Sequence, residues 1–132
     1  MEITEELILI GEDDDSDERI DFDKLTPGQV FSRRQNLFPE TGETWGKGPL
    51  VGTAYLSVTV ARGDIGICEI VFVLEGEDTI VANGVLPVTD APGGATIGNG
   101  FLSVTGGTGQ FNAVMGRVDV EVVNPKRYHF TV

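Results

Sequence analysis

Apolar and polar residues alternate along most of this chain, and the alternating runs are separated by glycine, proline and acidic breaks. A period of two predicts strands rather than helices. Residues 50–61 show it best: Ala54, Leu56, Val58 and Val60 share one face, and Thr53, Tyr55, Ser57 and Thr59 share the other. Residues 117–123 repeat the pattern, with Val118, Val120 and Val122 opposite Arg117, Asp119 and Glu121. Residues 126–132 put Tyr128, Phe130 and Val132 together. Further strands are expected over 3–10, 29–36, 79–88 and 99–105. The run 65–74, IGICEIVFVL, is apolar on both faces, so neither face is expected to be simply wet. Breaks at Thr26-Pro27-Gly28, Gly63-Asp64, Glu75–Asp78 and Asn124-Pro125 mark turns, and 90–98 reads as a flexible connection. The prediction is an all-β single domain, an eight-stranded antiparallel β-barrel, since eight strands suffice to close a small barrel and remove its edges.

Composition agrees with that reading. The chain has 132 residues, enough for a real core, and 18 glycines for its turns. Nine basic against 21 acidic residues give a formal net charge of −12. Such a surface repels phosphate backbones and anionic lipid, so neither nucleic acid nor membrane is expected as a partner. The single Cys68 allows no internal disulfide and fits a reducing compartment. The N-terminal MEITEELILIGEDDD lacks the basic n-region and long apolar core of a signal peptide, and no apolar run reaches the ~20 residues of a membrane helix. A cytoplasmic location is expected.

Candidate chemistry is sparse. Glu69 is the only charge within the doubly apolar run 65–74, and a carboxylate there must be paired, hydrogen-bonded or protonated. It is a site candidate; the rival is an ion pair with Arg33 or Arg34, which alternation sends to opposite faces. Tyr55 in mid-strand is the favoured hydrogen-bond donor to a cavity, the alternative being a plain structural tyrosine. Asn83 suggests an inward amide. Trp45, in a glycine-rich loop, either seals a pocket mouth or packs over a barrel end. Cys68 reads as a buried structural thiol, and the lone His129 supports no metal site. Residues 12–18, EDDDSDE, read as a solvated loop, with a calcium site as the sharper alternative; the calcium-loop pattern lacks its turn glycine. Gly106, Gly107 and Gly109 make a tight turn between strands, since no phosphate-loop motif and no following helix accompany them.

That glycine turn also carries a family resemblance. The hydrophobic strand leading into GGTG-x-F-x-x-x-x-G, from Thr105 to Gly116, is similar to the signature of the allene oxide cyclase and dirigent-like β-barrels. PGQVFSRRQNLF at 27–38 and GTAYLSVTV at 52–60 resemble that family's second and third strands. The resemblance spans about a hundred residues and implies a barrel with a central apolar cavity that shapes a small reactive intermediate. Leu9 and Gly11 stand where the allene oxide cyclase branch has a glutamate and an asparagine. The acidic, short, unsecreted chain resembles most the bacterial [4+2] cyclases of spirotetronate and spirotetramate pathways, of the pyrroindomycin type. In those, an N-terminal segment lies as a lid over the cavity, a role that would fall to 12–25 here. The resemblance implies a cofactor-independent Diels–Alder ring closure of a linear polyene polyketide, a hydrophobic small-molecule substrate, no cofactor, and a homo-oligomer, dimer or trimer. On strand parity, Tyr55, Glu69, Gln110 and Asn83 would donate hydrogen bonds, and Phe31, Trp45, Phe72 and Phe101 would supply the walls. An allene oxide cyclase-like isomerase, a non-catalytic carrier of a lipophilic molecule and a purely structural barrel remain as alternatives.

Overall fold

In the computed structural model, which describes residues 6–13, 27–41, 46–62, 64–75, 78–91, 94–109, 116–122 and 126–131, alternation becomes a closed wall. The strands are β1 (Glu6–Asp13), β2 (Val30–Pro39), β3 (Gly52–Arg62), β4 (Ile65–Leu74), β5 (Thr79–Ala91), β6 (Gly94–Ile97), β7 (Gly100–Gly107), β8 (Gly116–Val122) and β9 (Lys126–Thr131). Every pairing is antiparallel, in the order β4-β3-β2-β1-β9-β8-β7-β5-β6, and a further β4–β5 pairing closes eight strands into a barrel. The expected all-β, eight-stranded antiparallel barrel is therefore the fold. Closure joins strands distant in the chain: β1 lies between β2 and β9. No helix among the described residues is long and apolar enough to cross a membrane.

The apolar set of each alternating strand points inward. Leu56, Ile70, Phe72, Leu102, Val118 and Phe130, from five different strands, are all buried in one core. Phe72 sits at its centre, edge-to-face against Tyr128 and Phe130 with ring centroids 5.1 and 4.9 Å away. On β4 both faces are apolar in sequence, and closure decides between them: Cys68, Ile70, Phe72 and Leu74 go in, while Ile67 and Glu69 go out. On the outer wall, Arg127 grips Glu40 through two hydrogen bonds of 2.6 and 3.0 Å and Glu121 through one of 2.9 Å. The bonds to Glu40 raise the arginine's pKa above its ordinary value, so the clamp between β9 and the end of β2 stays charged.

Three expectations change. The connection 90–98 is not simply a flexible link: β5 runs on to Ala91 and pairs with β6, where Ile97 is fully buried. An apolar anchor of that kind holds the hairpin arm to the barrel. Glu12 and Asp13, expected in the acidic loop or lid of 12–25, belong to β1 and lie opposite Asn36 and Gln35; Glu12 also pairs with Lys47 at 2.6 Å. The rest of that segment, and with it the calcium alternative, lies outside the described residues. Within the glycine turn, Gly106 and Gly107 continue β7 opposite Val81 and Ile80, and the left-handed conformation falls at Gly109, φ 61°.

The buried Cys68 thiol is 3.7 Å from the Gly66 carbonyl, and burial pushes its pKa from 9.0 up to about 11. Between those values the unfolded thiol ionises while the folded one keeps its proton. The folded state then binds more protons, so this contribution to stability is flat below pH 9 and falls as pH rises towards 11. Urea unfolding of wild type and Cys68→Ala at pH 8 and pH 10.5 should show a larger alkaline loss for wild type; equal losses refute the shift.

Candidate functional site

Polar groups inside an otherwise apolar barrel are costly unless they are engaged, so each one there needs a partner. Three interrupt the inner wall: Arg33, Gln35 and Lys126, each at most 7% exposed. On β2 the inward set is Phe31, Arg33, Gln35 and Leu37, two polar residues held between two apolar ones. On β9 the inward set is Lys126, Tyr128 and Phe130. The two strands do not touch in sequence or in the sheet; β1 separates them and brings them round the curve of the barrel. The Tyr128 hydroxyl donates to Gln35 Oε1, crossing that gap beneath β1.

Gly11 makes the crossing available. It is buried at the inward position of β1 between Leu37 and Lys126, its register partners on the two sides. A Cβ added there would lie 2.7 Å from Gln35 Oε1 and 2.7 Å from Tyr128 Cε2. Only a residue without a side chain leaves room for the amide and the phenol to meet. Phe72 packs edge-on against the same Tyr128 ring and fixes its plane. The result is one patch of inner wall with a phenol, an oriented amide and two cationic side chains, all among aromatic and aliphatic walls. None of the four polar residues is without an interaction inside the protein. Chemically, the patch sets charge and hydrogen-bonding groups beside apolar side chains.

The structure divides the residues expected to form the site. Phe31 and Phe72 are buried on the inner side of the barrel, within its hydrophobic core. Tyr55, Glu69, Asn83 and Phe101 are not inside. Tyr55 is half exposed, because Ala54, Leu56, Val58 and Val60 occupy the inner positions of β3 and period two leaves it the outer one. Glu69 lies opposite Ser57 on one side and Asn83 on the other, all on the outer wall. Asn83 donates from Nδ2 to Thr105 Oγ1 at 2.6 Å, an outer cross-strand bond. Phe101 is exposed beneath the Arg117 guanidinium, 5.2 Å from its ring centre. Tyr55 and Glu69 do come together with Arg34, in an open depression of about 440 Å³ across the outer face of β2, β3 and β4. Trp45 and Gln110 lie outside the described residues. Gln35, Lys126 and Tyr128 are not among the site residues expected from the sequence, and Gly11 enters there only as the position where the resembled branch has an asparagine. A signal existed for three of them: F-x-R-x-Q-x-L at 31–37 and K-x-Y-x-F at 126–130 each place polar groups on the apolar parity of a strand.

No protein-family model matches the chain, and no curated protein matches it. Twelve chains of solved structures do match. One, a pyocyanin demethylase, superposes with a TM-score of 0.68 over 96% of this chain and 98% of its own, at 18% sequence identity. The likeness is one of fold: this chain shares with an enzyme an eight-stranded antiparallel β-barrel.

Proposed function

We propose that this barrel is a cofactor-independent cyclase that folds an unsaturated small molecule with an acidic, carbonyl-bearing head group and closes a ring within it by intramolecular [4+2] cycloaddition. The observation that carries the reading is the inner polar patch, Arg33, Gln35, Lys126 and Tyr128, in a wall that is otherwise apolar. A polyene tetronate or tetramate matches it in kind: an enolic acid head for the two cations and a hydrocarbon chain for the wall.

A [4+2] closure requires no nucleophile and no electron carrier. Three π bonds become two new C–C σ bonds and one π bond, with no proton gained or lost. The protein's contribution is to hold diene and dienophile in the reacting pose, worth as much as ~7–11 kcal/mol in favourable cases. A hydrogen bond to the carbonyl conjugated with the dienophile lowers the barrier further. Gln35 is the donor assigned here. Tyr128 occupies its Oε1 and so orients its Nε2 edge, which makes Tyr128 a positioning residue. Arg33 and Lys126 hold the acidic head.

The test is incubation of the purified protein with a linear polyene tetramate, followed by chiral chromatography against a control without protein. Acceleration of one stereoisomer supports the proposal. Gln35→Leu should then lower kcat about tenfold or more, and Arg33→Met should chiefly raise KM. Unchanged substrate that nonetheless raises Tm marks a carrier and overturns the cyclase. Consumption of pyocyanin in a parallel incubation, with the tetramate untouched, reassigns the substrate to the class named for the fold neighbour.

A further inference from the structure

The outer wall opposite the charged strands is built in rows. The pairing register sets Val30, Thr59, Ile67 and Val85 side by side across β2 to β5. A second row holds Ser32, Ser57, Glu69, Asn83 and, on β7, Ser103. A third holds Arg34, Tyr55, Val71 and Val81. Two rows that are apolar except for Thr59 and Arg34 thus flank one polar row. Val30, Tyr55, Ile67, Val85 and, on β7, Phe101 are between 50% and 58% exposed. Single exposed apolar residues are ordinary, but large ones gathered on adjoining strands are not. The three rows run over five residues on each of four strands, about 17 Å by 19 Å, so the face projects about 320 Å² with the polar row through its middle.

Charge selects the occupant. The three rows contain one cation, Arg34, and one anion, Glu69, so they sum to zero on a chain of net charge −12. On β8 the outward residues are Arg117, Asp119 and Glu121, every one charged. A basic partner would be drawn to the acidic remainder of the surface, not to this face. Two copies of the chain repel each other through their net charge, and that repulsion is least where the surface is neutral. Arg34 and Glu69 also give the face one group of each sign, so a copy brings the complement of what it meets.

We infer that the outer face of β2 to β5 is the surface on which a second copy of this chain docks, with Ile67 and Val85 at the centre of the contact. The site is separate from the inner patch, and the inference stands whether or not the cyclase reading holds.

Sedimentation equilibrium of the full chain from 1 to 100 µM tests it. The expected result is a mass above the 14.1 kDa monomer that rises with concentration. Ile67→Asp and Val85→Asp, both outward-facing, should shift the protein to monomer with far-UV circular dichroism and Tm within a few degrees of wild type. Thr131→Asp, exposed on β9, should associate as wild type does. A wild type that stays at 14.1 kDa throughout, whether its face is bare or covered by its own chain, overturns the inference. So do oligomers that survive both aspartate substitutions.

Discussion

Phe72→Ala lowers the unfolding free energy by about 3–5 kcal/mol, the range for truncating a fully buried aromatic. Phe72 has no exposed surface, and its ring meets Tyr128 and Phe130 edge-on in a geometry that adds to simple burial. Its neighbours across β3 and β5 are Ala54 and Ile80. The short Ala54 side chain cannot fill the space a lost ring leaves, and barrel strands hydrogen-bonded on both sides cannot collapse into it. Most of the cavity therefore persists. Urea unfolding should show the midpoint falling with little change in slope, and Tm should drop by about 10 °C or more. Phe72→Leu restores much of the volume and should recover more than half of the loss. A loss below about 1 kcal/mol for the alanine variant would mean that the core is not centred on this ring.

The second large effect is expected at Gly11. Gly11→Val places its first side-chain atom where Gln35 Oε1 and the Tyr128 ring now stand, each 2.7 Å from the built Cβ. Overfilling of this kind costs about 1–3 kcal/mol. Gln35 has little freedom to retreat, because Tyr128 holds its oxygen and the Tyr128 ring is held by Phe72. The clash breaks the amide–phenol pair and leaves buried polar groups to find new partners, an added penalty of about 1–3 kcal/mol. A double-mutant cycle isolates the mechanism: in a Gln35→Ala background, Gly11→Ala should cost clearly less than in wild type, because the obstructing oxygen is gone. Additive costs would place the strain on the Tyr128 ring instead of the amide oxygen. On the cyclase reading, Gly11→Ala should also reduce turnover by more than its stability loss explains, since it disturbs the oriented donor rather than the wall.

Much of the barrel was legible along the chain because a strand exposes its pattern locally. Period two in 50–61 separates Leu56 from Tyr55, whatever the strand pairs with, and β4 falls at residues 65–74, as expected. Arg33 and Arg34, being adjacent, had to face opposite ways, and they do: Arg33 is buried and Arg34 lines the outer depression. Which face is inner was not legible where both are apolar. Glu69 could be assigned to the cavity on β4 because IGICEIVFVL has no polar side to sacrifice to solvent. Only the ladder to β3, where Glu69 meets Ser57, and the closing ladder to β5 assign it outward. Tyr55 followed the same error from the other direction: a polar, uncharged face suits a cavity or water equally until the barrel closes.

The inner patch depended most on tertiary structure. Gln35 and Tyr128 are 93 residues apart in sequence, and nothing local to either marks the other as a partner. Their meeting requires β1 to insert between β2 and β9, and it requires a glycine, Gly11, at the inward position of β1 between them. The same holds for the outer rows, which exist only through register. Sequence by itself determined where strands run and which residues share a side, because side-chain alternation is a property of one strand. Closure of the sheet decided which side is the interior and which residues meet there, because that depends on pairings between segments the chain order keeps apart.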